Sequence, residues 1–235
     1  MAEKKKYTIM KIFGHRGAAG LAAENTLESI AVALQHGVDG IEIDVHCCKS
    51  GELVVIHDET LDRTTNGKGS VANYTLQELQ QFTTNEGFLI PTLDQVLDLI
   101  DAKCVLNVEL KGENTAAPTI ALLEKHIKNS NWQYEDFILS SFDPPQLFEV
   151  KMITTNFKVG VLTEQNIANA LHIARELNAF SVHPPVAFLT QDAVKRAKEQ
   201  GYKVYVWTVN TKTQIEQSKI WKVDGVITDF PNFVS

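Results

Sequence analysis

Residues 13–30, FGHRGAAGLAAENTLESI, contain the end of one predicted strand and the beginning of a predicted helix. The apolar run 9–13 leads directly into His15 and Arg16, and Thr26 lies where the N-cap of a helix is expected. Apolar residues then recur at helical spacing. The stretch is typical of a β-to-α turn in an α/β protein, which is where such folds hold their catalytic side chains.

The same alternation of strand and helix continues along the 235 residues. Eight strand-like runs cover residues 9–14, 40–46, 104–111, 136–142, 158–163, 179–183, 203–210 and 224–230. This pattern predicts an α/β fold, a (β/α)8 TIM barrel, formed by one domain over residues 1–235 with a core at about 10–234. A ninth extended run, 52–57, follows a Ser-Gly turn signal and predicts a short hairpin-like excursion after the second strand.

Composition limits the class of protein. With 44% hydrophobic and 22% charged residues, the chain is typical of a globular protein, and no apolar run approaches the roughly 18 residues that span a bilayer. The net charge of -7 argues against non-specific nucleic-acid binding, so an anionic substrate requires a local Arg/Lys pair or a metal ion. The N-terminus does not resemble a signal peptide, and the three cysteines, interpreted as reduced thiols, indicate a cytoplasmic protein.

Two predicted strands carry acidic side chains on one face. Because strand side chains alternate, Glu42 and Asp44 lie opposite the apolar residues of GIEIDVH, and Glu109 and Lys111 lie opposite those of VLNVELK. Parallel barrel strands are normally apolar on both faces, and buried carboxylates without partners are costly. Structural pairing with Lys111 would account for only one acid. We therefore predict that Glu42, Asp44 and Glu109 bind one divalent cation, Mg²⁺ or Ca²⁺.

Two histidines are predicted to perform acid-base catalysis. His57 ends the extra extended run in VVIHD and is expected at the same end of the barrel as His15. Two imidazoles beside a metal indicate proton transfer near neutral pH. His46 shares the face of the acids but ends its predicted strand, so a direct role for it is left open. The remaining histidines are predicted to be structural: His36, His126, His172 and His183.

Several motifs, in order, resemble those of the glycerophosphodiester phosphodiesterases over about residues 12–233. They are HRG…ENT, EIDV, VVIHDETLDRTTNGKG, IPTLDQVL, NVELK, WTVN and GVITDFP. The resemblance implies a barrel hydrolase that uses a divalent cation to cleave glycerophosphodiesters to sn-glycerol 3-phosphate and an alcohol. It implies the metal ligands and the two catalytic histidines that the strand pattern predicts.

The resemblance also implies supporting roles. Arg16 and Lys111 are expected to contact the phosphate, and Glu24 and Asn25 are expected to brace the His-Arg loop. Trp207 stands near the end of the seventh predicted strand, and we predict that it binds substrate by packing on the glycerol carbons. The alternative is that Trp207 fills the layer between barrel and helices, on one apolar face with its neighbours in VYVWTVN.

Several alternatives stay open. The segment between Arg63 and Ile90 is shorter than in many relatives, which leaves the preferred alcohol undetermined, and Cys47-Cys48 depart from the family pattern. A lysophospholipase D-like hydrolase, a silent phosphodiester-binding barrel and a Schiff-base aldolase using Lys111 are the rival functions. The expected partner is a small glycerophosphodiester, with no nucleic acid and no stable membrane insertion. The sequence does not predict the oligomeric state.

Overall fold

Parallel strands close into a barrel in the computed structural model, which describes residues 10–165 and 167–233. The first strand pairs with the second and also with the last, and that double pairing closes the sheet. The strands are β1 (Lys11–Gly14), β2 (Gly40–Cys47), β3 (Leu53–Val55), β4 (Val105–Leu110), β5 (Phe137–Ser141), β6 (Lys158–Leu162), β7 (Ser181–His183), β8 (Lys203–Val206) and β9 (Gly225–Thr228). All of these strands except β3 form the parallel barrel, so the predicted TIM barrel is confirmed.

Helices follow most barrel strands and pack around the outside, except α2, which lies in the lobe after β3. They are α1 (Leu27–Gln35), α2 (Leu76–Leu79), α3 (Leu93–Ile100), α4 (Ala116–Asn129), α5 (Pro144–Ile153), α6 (Ile167–Leu177), α7 (Gln191–Glu199) and α8 (Lys212–Trp221). The Thr26 side chain accepts a hydrogen bond from the Ser29 amide, so Thr26 is the N-cap that the sequence predicts. No helix among the described residues has the length and hydropathy needed to cross a bilayer.

The two faces of each strand have different surroundings. On β2, Ile41, Ile43 and Val45 are fully buried and belong to the large core between barrel and helices. Burying a side chain of this kind stabilises the fold by about 1.5–3 kcal/mol. A separate cluster lies inside the barrel and contains Phe13, Ile138, Tyr205 and Ile227. Above this inner cluster the inner face becomes polar, which places functional side chains at the carboxyl ends of the strands.

The predicted excursion after the second strand is confirmed. β3 pairs antiparallel with β2, with Val55 opposite Val45. The chain from 56 to 92 then forms a lobe with its own buried cluster before it returns to the barrel at α3. This lobe brings the loop after β3 to the mouth of the barrel, beside the loop between β1 and α1.

Some predicted boundaries are wrong. The seventh barrel strand, β8, ends at Val206 instead of residue 210, and Trp207 adds only one isolated parallel bridge, to Pro185 in the loop after β7. The eighth barrel strand, β9, ends at Thr228 instead of residue 230. Residues 1–9 and 234–235, which include the predicted start of the first strand, lie outside the described residues. The assignment of the chain to one domain stays a prediction.

Candidate active site

Three carboxylates meet at the mouth of the barrel because β2 and β4 are neighbours in register. Asp44 lies opposite Glu109 in the ladder, and Glu42 lies opposite Asn107. Glu42, Asp44 and Glu109 are all buried, and each offers an oxygen within 4.8 Å of the others. The structure thus brings together the three residues predicted to hold a divalent cation.

The cluster has more hydrogen-bond acceptors than donors. Burial, followed by the charges of Asp44 and Glu109, holds the pKa of Glu42 well above its usual range. Burial, with Asp44 as the next cause, raises the pKa of Glu109 to about 7, although the Lys111 ammonium lies 2.9 Å away. The buried Asn107 Oδ1 also has no hydrogen-bond partner among the described residues. A hard cation suits such a group of oxygens, since oxygen ligands are what Mg²⁺ and Ca²⁺ prefer.

His15 follows β1 and is held by a carboxylate from the other end of the chain. Its Nδ1 lies 2.6 Å from Asp229 Oδ1, just after β9, and its Nε2 lies 4.0 Å from Glu42 Oε2. The side-chain Nδ2 of Asn210 donates to Asp229 Oδ2, and the backbone amide of Asp229 donates to Asn210 Oδ1 at 2.9 Å. The aspartate fixes the ring orientation and leaves Nε2 directed towards the acids.

His57, in the loop after β3, has the same arrangement. Its Nδ1 lies 2.6 Å from Oδ1 of the adjacent Asp58. Burial lowers the pKa of His57, while the Asp44 charge and the Asp58 hydrogen bond act in the opposite direction. An imidazole whose Nδ1 is held by a carboxylate can exchange a proton through Nε2, as general acid-base catalysis requires.

Glu24 and Asn25, the two residues predicted to brace the His-Arg loop, contact Arg16 and the acid cluster. Arg16 Nη1 donates to Glu24 Oε1 at 2.7 Å, and its backbone amide donates to Glu42 Oε2 at 2.9 Å. Asn25 Nδ2 donates to Asp44 Oδ2 at 2.9 Å, so Asn25 also orients one of the carboxylates. Arg16 and Asn25 both adopt positive φ, at 49° and 58°. These contacts hold the guanidinium of Arg16 next to the acid cluster.

A cavity of about 270 Å³ lies between these groups. Its polar side is formed by His15, Arg16, Glu42, His57, Asn107, Glu109, Lys111 and Glu164, and its apolar side by Phe142, Leu162, Trp207 and Ile227. The Lys111 ammonium lies 5.4 Å from the centre of the Phe142 ring. A second cavity of about 680 Å³ shares His57 and Lys111 with the first. The polar and apolar walls of the 270 Å³ cavity together suit a small molecule with an anionic centre and an apolar portion.

Trp207 lines the cavity from the inner face of the barrel. Its Nε1 donates to the His183 carbonyl at 2.8 Å. Its ring makes an edge contact with the Phe142 ring, with 5.6 Å between the two ring centroids. Tyr205 is also inside the barrel, but Val209 belongs to the outer core. The alternative interpretation of Trp207 assumed one apolar face shared by Tyr205, Trp207 and Val209, and that assumption is wrong, because the chain leaves the strand after Val206.

We expect Trp207→Ala to act on substrate binding. Loss of about 1–3 kcal/mol of apolar contact would raise KM roughly 5- to 150-fold, with little change in kcat. The matched control is Trp132→Ala, because Trp132 is fully buried in the outer core and stacks on Phe137. That variant should lose about 3–5 kcal/mol of stability and keep the kinetics of the folded enzyme. If both variants show only lost stability, Trp207 has no role in binding.

The other histidines lie in different surroundings. His46 Nε2 lies 3.1 Å from the His57 carbonyl oxygen, and the ring lines the second cavity. His183 is buried inside the barrel with Nε2 at 2.8 Å from Ser181 Oγ, and burial lowers its pKa to about 3. His126 is buried, and its Nε2 lies 3.0 Å from Oδ1 of the half-exposed Asp94. His172 pairs with Glu176 on α6, and His36 caps the end of α1.

The sequence interpretation did not identify the carboxylates that hold the two imidazoles. Asp58 directly follows His57, and Asp229 lies near the end of the predicted strand 224–230, so both had a local signal. Arg63 was also missed. It contacts Asp58, which is 5 residues away, and Glu24, which is 39 residues away. Nothing local in the sequence indicates the contact with Glu24.

Residues 15–233 match the family described as the glycerophosphoryl diester phosphodiesterase family. A glycerophosphodiester phosphodiesterase of Caldanaerobacter subterraneus subsp. tengcongensis is 38% identical over 229 residues, which cover 94% of each chain. One of Bacillus altitudinis is 36% identical over 236 residues, covering 94% of this chain and 95% of the relative.

A solved structure is similar in fold. It is that of an Oleispira antarctica phosphodiesterase in complex with the product sn-glycerol-3-phosphate. It has a TM-score of 0.87 and 30% identity, and the match covers 95% of this chain and 94% of that one. From the family match and the identity to these relatives, we conclude that the chain belongs to the glycerophosphoryl diester phosphodiesterase family.

Proposed function

We propose that this protein hydrolyses glycerophosphodiesters to sn-glycerol 3-phosphate and an alcohol, using one divalent cation and two histidines. Family membership supports the reaction, and the Oleispira antarctica relative is described with sn-glycerol-3-phosphate as its product. The observation that carries the proposal is the pair of aspartate-held imidazoles, His15 and His57, which line one cavity with two of the three buried carboxylates. A site that only bound a phosphodiester would not need this arrangement.

Glu42, Asp44 and Glu109 are the residues that would hold Mg²⁺ or Ca²⁺. The buried Asn107 oxygen beside them supports the choice of a cation, because it needs a positive partner that the neighbouring carboxylates do not supply. When bound, a divalent cation offsets the charge of the phosphate and increases the acidity of a coordinated hydroxyl.

The remaining charge on the phosphate is assigned to Arg16 and Lys111. Arg16 offers a planar fork that fits two phosphate oxygens, and Lys111 offers a single positive charge on the other side. His15 acts as the first base and His57 protonates the leaving alcohol. The nucleophile is the glycerol 2-hydroxyl, which gives a cyclic phosphate, or water. Accumulation of the cyclic phosphate in a His15→Ala or His57→Ala variant separates the two routes.

Trp207, Phe142 and Leu162 complete the proposal by forming an apolar wall for the glycerol carbons. The expected partners are small glycerophosphodiesters. A cytoplasmic location is also proposed, and it is supported by free cysteines at positions 47, 48 and 104.

The experiment is to measure sn-glycerol 3-phosphate released from glycerophosphocholine, -ethanolamine, -glycerol and -inositol with Mg²⁺ or Ca²⁺ present. We expect release of the free alcohol together with sn-glycerol 3-phosphate from at least one of the four. The doubly substituted protein, with alanine at both His15 and His57, is the control for contaminating activity. Formation of phosphocholine and glycerol, or no product from any of the four, contradicts the proposal. Faster cleavage of lysophosphatidylcholine would favour the lysophospholipase D-like alternative.

A further inference from the structure

Arg63 lies between two carboxylates and makes paired hydrogen bonds to each. Its Nη1 and Nη2 donate to Glu24 at 2.9 and 2.7 Å. Its Nε and Nη2 donate to Asp58 at 2.7 and 2.9 Å. Such two-point contacts use the planar geometry of a guanidinium, and a lysine cannot reproduce them.

Each of these carboxylates also holds a side chain of the active site. Glu24 Oε1 accepts from Arg16 Nη1 at 2.7 Å, and Asp58 Oδ1 lies 2.6 Å from His57 Nδ1. The five side chains therefore form one continuous row of hydrogen bonds. Arg16 and Glu24 come from the loop between β1 and α1, whereas His57, Asp58 and Arg63 come from the lobe after β3.

We propose that Arg63 is a positioning residue, which fixes the Arg16 guanidinium and the His57 imidazole relative to each other through Glu24 and Asp58. The inference rests on the proposed function for the roles of Arg16 and His57. Arg63 itself is not among the residues that line the 270 Å³ cavity, and 48% of its side chain is exposed. It therefore acts only through its two partners.

The lowered pKa values of Glu24 and Asp58 agree with this positioning role. Burial raises the pKa of Glu24, but Arg63 and Arg16 together lower it to about 2, so Glu24 stays ionised and keeps both contacts. The hydrogen bonds from Arg63 are the largest cause of the lowered pKa of Asp58. Asp58 therefore stays an acceptor for the Nδ1–H of His57, which leaves Nε2 to hold and give up the proton that the proposed function assigns to His57.

The backbone around Arg63 has its own supports, so the side chain can be removed without releasing the loop. Asn85 Nδ2 donates to the Arg63 carbonyl at 2.9 Å, and the Asn85 amide donates to the Thr64 carbonyl at 2.9 Å. Thr65 Oγ1 donates to the Leu61 carbonyl at 2.7 Å. What Arg63→Ala removes is the link between the two active-site loops.

We expect Arg63→Ala to lower kcat about 10- to 100-fold, because small displacements of catalytic groups have effects of this size. KM should rise as well, since Arg16 loses part of its support. Arg63→Lys should lie between alanine and wild type, because it restores the charge without the two-point geometry. The control is Lys203→Ala, which removes a similarly exposed cation from buried Asp224 at the other end of the barrel. The control should change stability only.

Nitrogen chemical shifts of the His57 ring supply a readout that needs no substrate. In the wild type, we expect a single tautomer with the proton on Nδ1, and in Arg63→Ala a mixture of tautomers. Altered stability with unchanged tautomer and kinetics would show that Arg63 is only a structural ion pair and would overturn the inference. If the wild type cleaves none of the glycerophosphodiesters but the tautomer still changes, the proposed function fails and the positioning role stands.

Discussion

His57→Ala should turn over glycerophosphodiesters about 10²–10⁴-fold more slowly than the wild type, which is the usual size of a general acid-base contribution. The Nδ1 atom of His57 is held by Asp58 at 2.6 Å, so the ring is fixed with Nε2 available for proton transfer. Alanine removes the proton donor and leaves Arg16 and Lys111 in place. KM should therefore change much less than kcat, and a full kinetic analysis separates the two.

His15→Ala is expected to have an effect of the same size for the same reason, since Asp229 holds its Nδ1 at 2.6 Å. With both imidazoles present, kcat/KM should be bell-shaped in pH, and the two limbs belong to the pair. Burial lowers the pKa of His57. The limb of the profile that follows the deprotonation of His57 should therefore have its midpoint below the pKa of an ordinary histidine. Removal of either ring should abolish one limb.

His46→Ala is the matched control for these variants. His46 lies on the same face of β2 as the acids, but its Nε2 contacts the backbone carbonyl of His57 and not a reacting group. We expect a loss well below that of His57→Ala, from a small displacement of the loop. His172→Ala, on the exposed face of α6, should have wild-type kinetics. If His46→Ala is as damaging as His57→Ala, the catalytic imidazole has been assigned to the wrong residue.

Much of the barrel could be predicted because its determinants are local. The period of two along GIEIDVH decides that Glu42 and Asp44 share the face opposite Ile41 and Ile43, and the structure has that arrangement. Neighbouring parallel strands then bring Asp44 opposite Glu109. The meeting of these acids follows from strand alternation and the order of two strands, both of which are visible in the sequence.

What could not be predicted is which loop side chains the closed barrel brings together and how the lobe folds. His15 and Asp229 are 214 residues apart and meet only because β1 pairs with β9. Arg63 reaches Glu24 because the lobe after β3 folds back over the loop between β1 and α1. No periodicity in the sequence specifies that approach, because side-chain hydrogen bonds between loops depend on positions set by the whole fold.

Removal of the divalent cation should abolish turnover and leave the fold intact. The helices and the core between barrel and helices do not involve Glu42, Asp44 and Glu109, so circular dichroism should not change after treatment with EDTA. Activity should return when Mg²⁺ or Ca²⁺ is added in excess of the chelator. Alanine at any of the three positions should produce a similar loss that added cation does not restore. Full turnover in excess chelator would contradict the assignment of the cation site.

Thermal unfolding tests the same site without substrate, and its pH dependence has a defined sign. Without cation, Glu109 has a pKa of about 7 in the folded chain, above its value in the unfolded chain, so its contribution to stability is present below about pH 4.5 and is lost as pH rises through 7. Glu42 acts in the same direction.

A cation binds the ionised carboxylates, so its stabilising effect should grow as the pH rises from about 4.5 to above 7. At 100 times its Kd it should add about 2.7 kcal/mol, or roughly 5–10 °C in Tm, at pH 8. Glu109→Gln should raise the Tm of the chelated protein at pH 8 and reduce the effect of added cation. A cation-induced shift in Tm that does not depend on pH and persists in Glu109→Gln would show that the cation binds elsewhere.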